Sequence, residues 1–464
     1  MSDKVKAPQV PPVVLILGGT TTIARTLARY LLDPTAPKAS FVRLADRFSV
    51  SPPSTYIDKS FLELLNSDKS KLEYIQVNLL NTSKHTDIFT PPKEFKNNTI
   101  LPRTGEEHKD FQGFDIVFDL TGELGFDRPE IIQISNTYQT ALQLATSASN
   151  LPLNLKPKSY IRLTFPFYEQ KSLPSSSPGH TESAQLTPDG IRGRYWNETL
   201  RGIGKLNEKL NFGCIRSAAW YGGDSYQGEI VPRLVVGHVY QYLKEEMKFL
   251  YNSDLRVNTV HSVDVAQSLW LLSLYLISTP RSKVMEESAV PLPFSFASPS
   301  EKSTFSITKS KRTSISDTWK TIPTVIPESE IISIPLFNVV DENDSTQGSL
   351  AKIIAETWSI KFGFLNSAMA TLVSQFAKAD FTEMIEDVNE MHVEAWSKML
   401  ALSNPPIESS PITPFLDEHA FRKMSICFDG SKAKRILGFK PIHPKVEVDV
   451  LKGIVKEFQD NRLW

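Results

Sequence analysis

The sequence predicts an α/β fold: a doubly wound parallel sheet with a smaller C-terminal α/β lobe. Three observations predict it. An apolar run, Val13 to Leu17, ends in Gly18-Gly19 and passes directly into a helical pattern. Short apolar strands then alternate with helical segments as far as Thr164, the pattern of a parallel sheet built from crossover units. From about Gly222 that alternation gives way to a mixed pattern with long polar insertions.

The first unit carries the most information. Val13-Val14-Leu15-Ile16-Leu17 reads as a buried strand. Ala24, Leu27, Ala28 and Leu31 recur at helical spacing. Asp33-Pro34 closes that helix, because the residue before proline leaves the α region. A strand, a glycine turn and a helix N-terminus together offer free N–H groups and a positive dipole end to a pyrophosphate. The glycine pattern is degraded: Gly18, Thr21 and Ala24 stand where three glycines would. Ala24 still permits close packing. Thr21 either lends a hydroxyl donor or blocks the site. The candidate cofactor loop is Gly18, Gly19, Thr20, Thr21, Thr22 and Ile23.

Residues 39–46 read as a second strand ending in Asp46. An acid there bonds the adenosine ribose and favours NAD. Arg47 follows and suits a 2′-phosphate, so NAD or NADP stays open on these residues, with NAD slightly favoured. Leu72 to Val77 is a third strand, followed by Asn78 and Leu79. Residues 83–112 are polar and read as a surface insertion. Phe114 to Leu120 is a fourth strand, followed by Thr121 and Gly122. Ile131 to Ala148 is a helix and Tyr160 to Thr164 a fifth strand. Later, Val231 to Tyr251, Ser349 to Ile360 and Ala368 to Leu400 read as largely helical.

Composition sets outer limits. The 464 residues carry 51 basic and 52 acidic side chains, a net charge of −1, which gives no basic excess for nucleic acid. The two cysteines, Cys214 and Cys427, fit a reducing compartment rather than a disulfide framework. The histidines are scattered without metal-ligand spacing, so no metal is expected. No apolar run reaches a bilayer span, and residues 1–12 lack a signal-peptide core. The expectation is a soluble cytoplasmic protein without nucleic-acid or membrane partners, compatible with a homodimer. The expected organisation is a disordered 1–12, a dinucleotide domain over 13–270, a mostly disordered insertion over 280–330, and a substrate lobe over 331–464 that returns in part to the main domain.

Seven stretches in order resemble the extended short-chain dehydrogenase/reductases of the NAD-dependent epimerase/dehydratase type. They are Gly18 to Ala24, Val117 to Gly122, Asn136 to Ala141, Ile215 to Gly222, Asn258 to Ala266, Phe337 to Asp341 and Phe428 to Phe439. The resemblance implies a Rossmann-type domain with the cofactor along the glycine loop, Asp46 or Arg47, Asn78, Leu79, Leu120, Thr121 and Gly122. It implies a Ser/Thr at Thr164 and a Tyr-x-x-x-Lys whose tyrosine is Tyr195, orienting a hydroxyl or carbonyl of a small-molecule substrate. The lysine place, however, is Thr199, and Glu198 beside it would shift the tyrosine the wrong way. A literal Tyr240-x-x-x-Lys244 lies beyond the sheet and reads as a surface helix. The resemblance therefore implies an NAD(P)-dependent oxidoreductase or epimerase/dehydratase-like enzyme. The alternative is a non-catalytic dinucleotide-binding sensor or scaffold, which Thr21 and Thr199 favour.

Overall fold

The computed structural model describes residues 11–93, 111–175, 177–223, 225–226, 228–296, 317–365, 382–417, 420 and 422–464. Eight strands form the main sheet: β1 (Val13–Leu17), β2 (Phe41–Asp46), β3 (Leu72–Gln76), β4 (Ile116–Asp119), β5 (Ser159–Thr164), β6 (Phe212–Ser217), β7 (Ala289–Leu292) and β8 (Ile332–Val339). Their order is β7-β8-β6-β5-β4-β1-β2-β3. All neighbours run parallel except β7, which pairs antiparallel with β8. The order reverses between β1 and β4, which opens a crevice at the carboxyl ends of those strands.

Both faces are covered, as continuous apolar strands require. Val14 and Ile16 point into one core, and Val13, Leu15 and Leu17 into the other. Helix α1 (Thr22–Leu31) covers the first face, with Ile23 and Leu27 in its core. On the second face lie α2 (Thr140–Asn150), through Leu144, and α3 (Gly190–Gly204), through Leu200 and Ile203. Helix α4 (Ser262–Ser278) returns to pack beside α1. A turn of π-helix, Ile134–Gln139, leads into α2 and carries Asn136.

Among the described residues, the smaller lobe combines two short parallel pairs with four α-helices. Ala219–Tyr221 pairs with Thr259–His261, and Met247–Phe249 with Phe362–Phe364. The helices span Ile230–Leu243, Gln347–Trp358, Thr382–Ala401 and Val448–Asp460. The predicted helix over 231–251 stops early, because Lys244 takes the left-handed conformation (φ 60°) and caps it. The terminal Trp464 is buried beside Trp358 and Trp396, and its indole N–H donates to His238 Nδ1 at 2.7 Å.

The 280–330 segment departs most from expectation. Arg281–Ser288 is helical, 289–292 is the edge strand β7, and Phe294, Phe296 and Trp319 pack beside α3. Averaging a Ser-, Thr- and Pro-rich composition conceals these few aromatic anchors. Residues 297–316 lie outside the described residues, as do 1–10, 94–110 and 366–381. The polar 83–112 stretch begins with helical turns over 82–89. Strand β8 belongs to the main sheet, whereas the smaller lobe draws on 219–261 as well as on residues from Gln347 onward. Among the described residues, no helix is long and apolar enough to cross a membrane.

Candidate functional site

The crevice begins at the glycine turn. Gly18 has φ +77°, and a Cβ there would lie 2.8 Å from the Leu120 carbonyl oxygen. That requirement couples the turn to the end of β4. Gly19 closes against β2, where its Cβ would meet Leu44 Cβ at 2.7 Å. Thr21 neither blocks nor donates outward. It is the N-cap of α1, with extended backbone (φ −64°, ψ 153°). Its hydroxyl accepts from Ala24 N at 3.3 Å and donates to Gly18 O at 3.1 Å. A threonine is favourable in that role because its hydroxyl takes up one of the first-turn N–H groups. Thr22 and Ile23 open the helix, with Ile23 buried in the core.

Asp46 ends β2 with 5% of its surface exposed. Its Oδ2 accepts from Thr20 N (3.0 Å) and Thr20 Oγ1 (2.6 Å), and its Oδ1 from Arg47 N (2.7 Å). The acid thus ties the glycine loop to β2. Arg47 is exposed, its guanidinium 4.9 Å from the Phe48 ring. A buried carboxylate at this position would repel a 2′-phosphate and accept from ribose hydroxyls, whereas the exposed Arg47 would attract a phosphate. Asp46→Ala is therefore expected to weaken NAD by about 1.5–3 kcal/mol, the worth of a hydrogen bond to a charged group. It should also shrink the preference for NAD over NADP. Calorimetry of both cofactors reads this, and an unchanged preference would confine Asp46 to the loop. After β3, Asn78 is exposed and its Oδ1 accepts from Leu80 N, while the Leu79 carbonyl bonds His85 Nε2.

The β4 end holds a buried polar network. Asp119 and Arg162 are each fully buried and paired at 2.7 Å. Asp119 also accepts from Thr121 N (3.0 Å), Thr121 Oγ1 (2.6 Å) and Tyr160 OH (3.2 Å). Arg162 Nη2 donates to Thr121 O at 2.9 Å. Four donors on one carboxylate offset the desolvation of the charge pair. Together they fix the Leu120–Gly122 segment. Neither Asp119 nor Arg162 stood among the sequence candidates. The signal available was two adjacent strands that each carry one charge in an apolar run.

Helix α3 presents unexpected faces. Tyr195 lies in an apolar cluster with Tyr138, Ile134 and Phe296. Its hydroxyl donates to Glu130 at 2.9 Å. Burial, and then the Glu130 carboxylate, push the Tyr195 phenol well above its ordinary pKa. That is the opposite of what proton transfer near neutral pH needs. The acidic neighbour is Glu130, not the expected Glu198. Glu198 is itself paired with Arg201 at 2.7 Å. Thr199 is buried and donates to the Tyr195 carbonyl at 2.6 Å. Among the described residues no hydrogen bond joins Thr164 to Tyr195; Thr164 sits buried at the end of β5.

The side of α3 that meets the post-β4 loop carries Arg192 and Trp196, one turn apart. Arg192 Nη1 donates to Leu124 O at 2.7 Å, and Trp196 Nε1 to Glu123 O at 3.0 Å. Residues i and i+4 share a helix face, and that spacing was the missed signal. Among the described residues, no group of three or more His, Cys, Asp or Glu could hold a metal.

No family model and no curated protein matches the chain. Solved structures do. The chain is similar to UDP-glucose 4-epimerase of Thermotoga maritima with UDP-glucose, at 13% identity and TM-score 0.53, over 97% of this chain and 99% of that one. It is similar to the dTDP-glucose 4,6-dehydratase DesIV of Streptomyces venezuelae, solved with NAD, at 13% identity and TM-score 0.53, over 97% and 98%. UDP-glucuronic acid 4-epimerase of Bacillus cereus, solved with UDP-glucuronic acid and NAD, gives 12% identity and TM-score 0.51 over 97% and 99%. The chain therefore has, in divergent form, the fold of the NAD-dependent epimerases and dehydratases that its motifs resemble.

Proposed function

We propose that the chain binds an NAD-type dinucleotide across the carboxyl ends of β2, β1 and β4. We further propose that it acts on a hydroxyl- or carbonyl-bearing small molecule by epimerase/dehydratase-like chemistry. The observation that carries this is the turn between β1 and α1. Gly18 adopts the left-handed conformation that brings this turn against the β4 loop. Thr21 caps α1, so the helix start and its dipole remain turned toward the crevice. These residues fit the cofactor: the Gly18–Thr22 turn would face its pyrophosphate, Asp46 its adenosine ribose, and Leu120 to Gly122 its nicotinamide half. The cofactor, when bound, supplies a hydride acceptor and donor. Nucleotide sugars are the substrate class we favour, because UDP-glucose and UDP-glucuronic acid occupy two of the similar structures. Thr164, at the β5 end, is the side chain we assign to orient the substrate.

A second reading, cofactor binding without turnover, is favoured by one observation. The Tyr195 hydroxyl is spent on Glu130. One assay separates the two. Cofactor-linked absorbance is followed over nucleotide sugars, alcohols and ketones in wild type and Tyr195→Phe. A positioned proton-transfer group is worth about 10²–10⁴-fold. Slow wild-type turnover that survives Tyr195→Phe is the expected result. A loss in that range would return Tyr195 to the reacting atoms, and silence of both proteins with cofactor bound would establish the second reading.

A further inference from the structure

Trp196 lies where a dinucleotide would place its second half. The sheet order sets β2 on one side of β1 and β4 on the other. With the adenosine ribose at the end of β2, the nicotinamide half falls over the segment that follows β4. That segment includes Gly122, and the Trp196 indole is packed on it. A Cβ on Gly122 would lie 2.4 Å from the indole Cζ2. The ring is held in place from several sides. Its N–H donates to Glu123 O at 3.0 Å. Phe165 and Phe167 meet it edge-on at 5.4 and 5.5 Å. The Arg162 guanidinium lies 5.0 Å from its ring.

We infer that Trp196 makes the crevice selective for the adenine half of a dinucleotide, so that ADP binds as tightly as NAD and the nicotinamide half gains its place only when the indole moves. The inference rests on the dinucleotide reading above. It goes beyond it by identifying the group that sets affinity and by naming an adenine nucleoside diphosphate as a sufficient ligand. Asp46 ends β2, on the other side of β1 from β4, and its bonds to Thr20 do not involve Trp196.

Calorimetry on the full chain with ADP, NAD and NADH is the test. In wild type, ADP and NAD should bind within about threefold of each other, a difference well under the 1.4 kcal/mol of a tenfold step. Trp196→Ala should tighten NAD and NADH by about tenfold or more and leave ADP within about twofold. Trp196→Phe, which keeps an aromatic ring but loses the indole N–H, should fall between them. The ADP affinity of each variant reports whether it has folded. If neither variant folds, the wild-type comparison still decides. NAD binding about tenfold tighter than ADP in wild type would overturn the inference. So would a loss of NAD affinity in Trp196→Ala, which would make the indole a platform for the nicotinamide. Absence of ADP and NAD binding in wild type would instead overturn the dinucleotide reading and this inference with it.

Discussion

Arg201→Met is expected to lower stability by about 3–5 kcal/mol, the cost of stranding one member of a buried charge pair. Arg201 is 1% exposed on α3. Its Nη1 meets Glu198 at 2.7 Å and the Ile326 carbonyl at 2.9 Å. Its Nη2 meets the carbonyls of Pro327 (2.9 Å) and Glu330 (3.0 Å). Glu198 in turn accepts from Ser295 N at 2.8 Å. The Arg201–Glu198 pair therefore ties Ser295 and residues 326–330 to the helix that carries Tyr195. Burial already raises the Glu198 pKa, with Arg201 as its main opposing influence. Without Arg201, Glu198 should take up a proton, and three carbonyls lose their donor. Urea unfolding reads the stability loss, and limited proteolysis should cut within 317–330 first. Lys205→Ala is the control. Lys205 pairs with Glu330 on an exposed surface, where such pairs are worth about 0–1 kcal/mol. An Arg201→Met protein as stable and as protease-resistant as wild type would refute the role assigned to this arginine.

Asp119→Ala is expected to cost a comparable amount, about 3–5 kcal/mol, and to abolish dinucleotide binding as well. The substitution leaves Arg162 charged and buried with Thr121 as its remaining polar partner in this network. It also releases Thr121 N and Oγ1 and the Tyr160 hydroxyl. Since Leu120 O sits against Gly18, a loosened β4 end should disturb the glycine turn. Thermal unfolding and calorimetry measure the two effects. Asp119→Asn keeps the shape and two acceptor lone pairs, and should fall between wild type and the alanine variant. Undiminished NAD affinity in a folded Asp119→Ala protein would separate this network from the cofactor crevice.

The sheet was largely legible because its signals are local. Five apolar residues, a glycine turn and an amphipathic helix place β1 and α1 without reference to the rest of the chain. Parallel strands buried on both faces announce themselves as apolar runs. The site was legible only where backbone determines it. Gly18 and Gly19 stand where the chain must approach β4 and β2 closely, and Asp46 ends β2 as expected. Thr21 could not be read from residue type, since a threonine in a loop and a threonine at an N-cap are the same letter. Tyr195 misled because its direction is decided by tertiary partners. Phe296 and Glu130 come from distant segments, and together they hold the ring in the buried cluster with Tyr138 and Ile134. Trp196, the next residue, then faces the post-β4 loop. A shift of one residue turns a helix by about 100°, which follows from 3.6 residues per turn. Sequence similarity to a motif fixes the helix but not which of two neighbouring aromatics meets the crevice.

The central claim is that the β1–turn–α1 unit holds an NAD-type dinucleotide. Titration calorimetry of the intact chain with NAD, NADH, NADP and NADPH tests it most directly. The account predicts saturable heats for NAD and NADH, weaker ones for the phosphorylated pair, and loss of all four in Gly18→Val, whose side chain would drive into the Leu120 carbonyl. No heat and no thermal shift with any of the four at about millimolar concentration, an affinity floor near −4 kcal/mol, would contradict it.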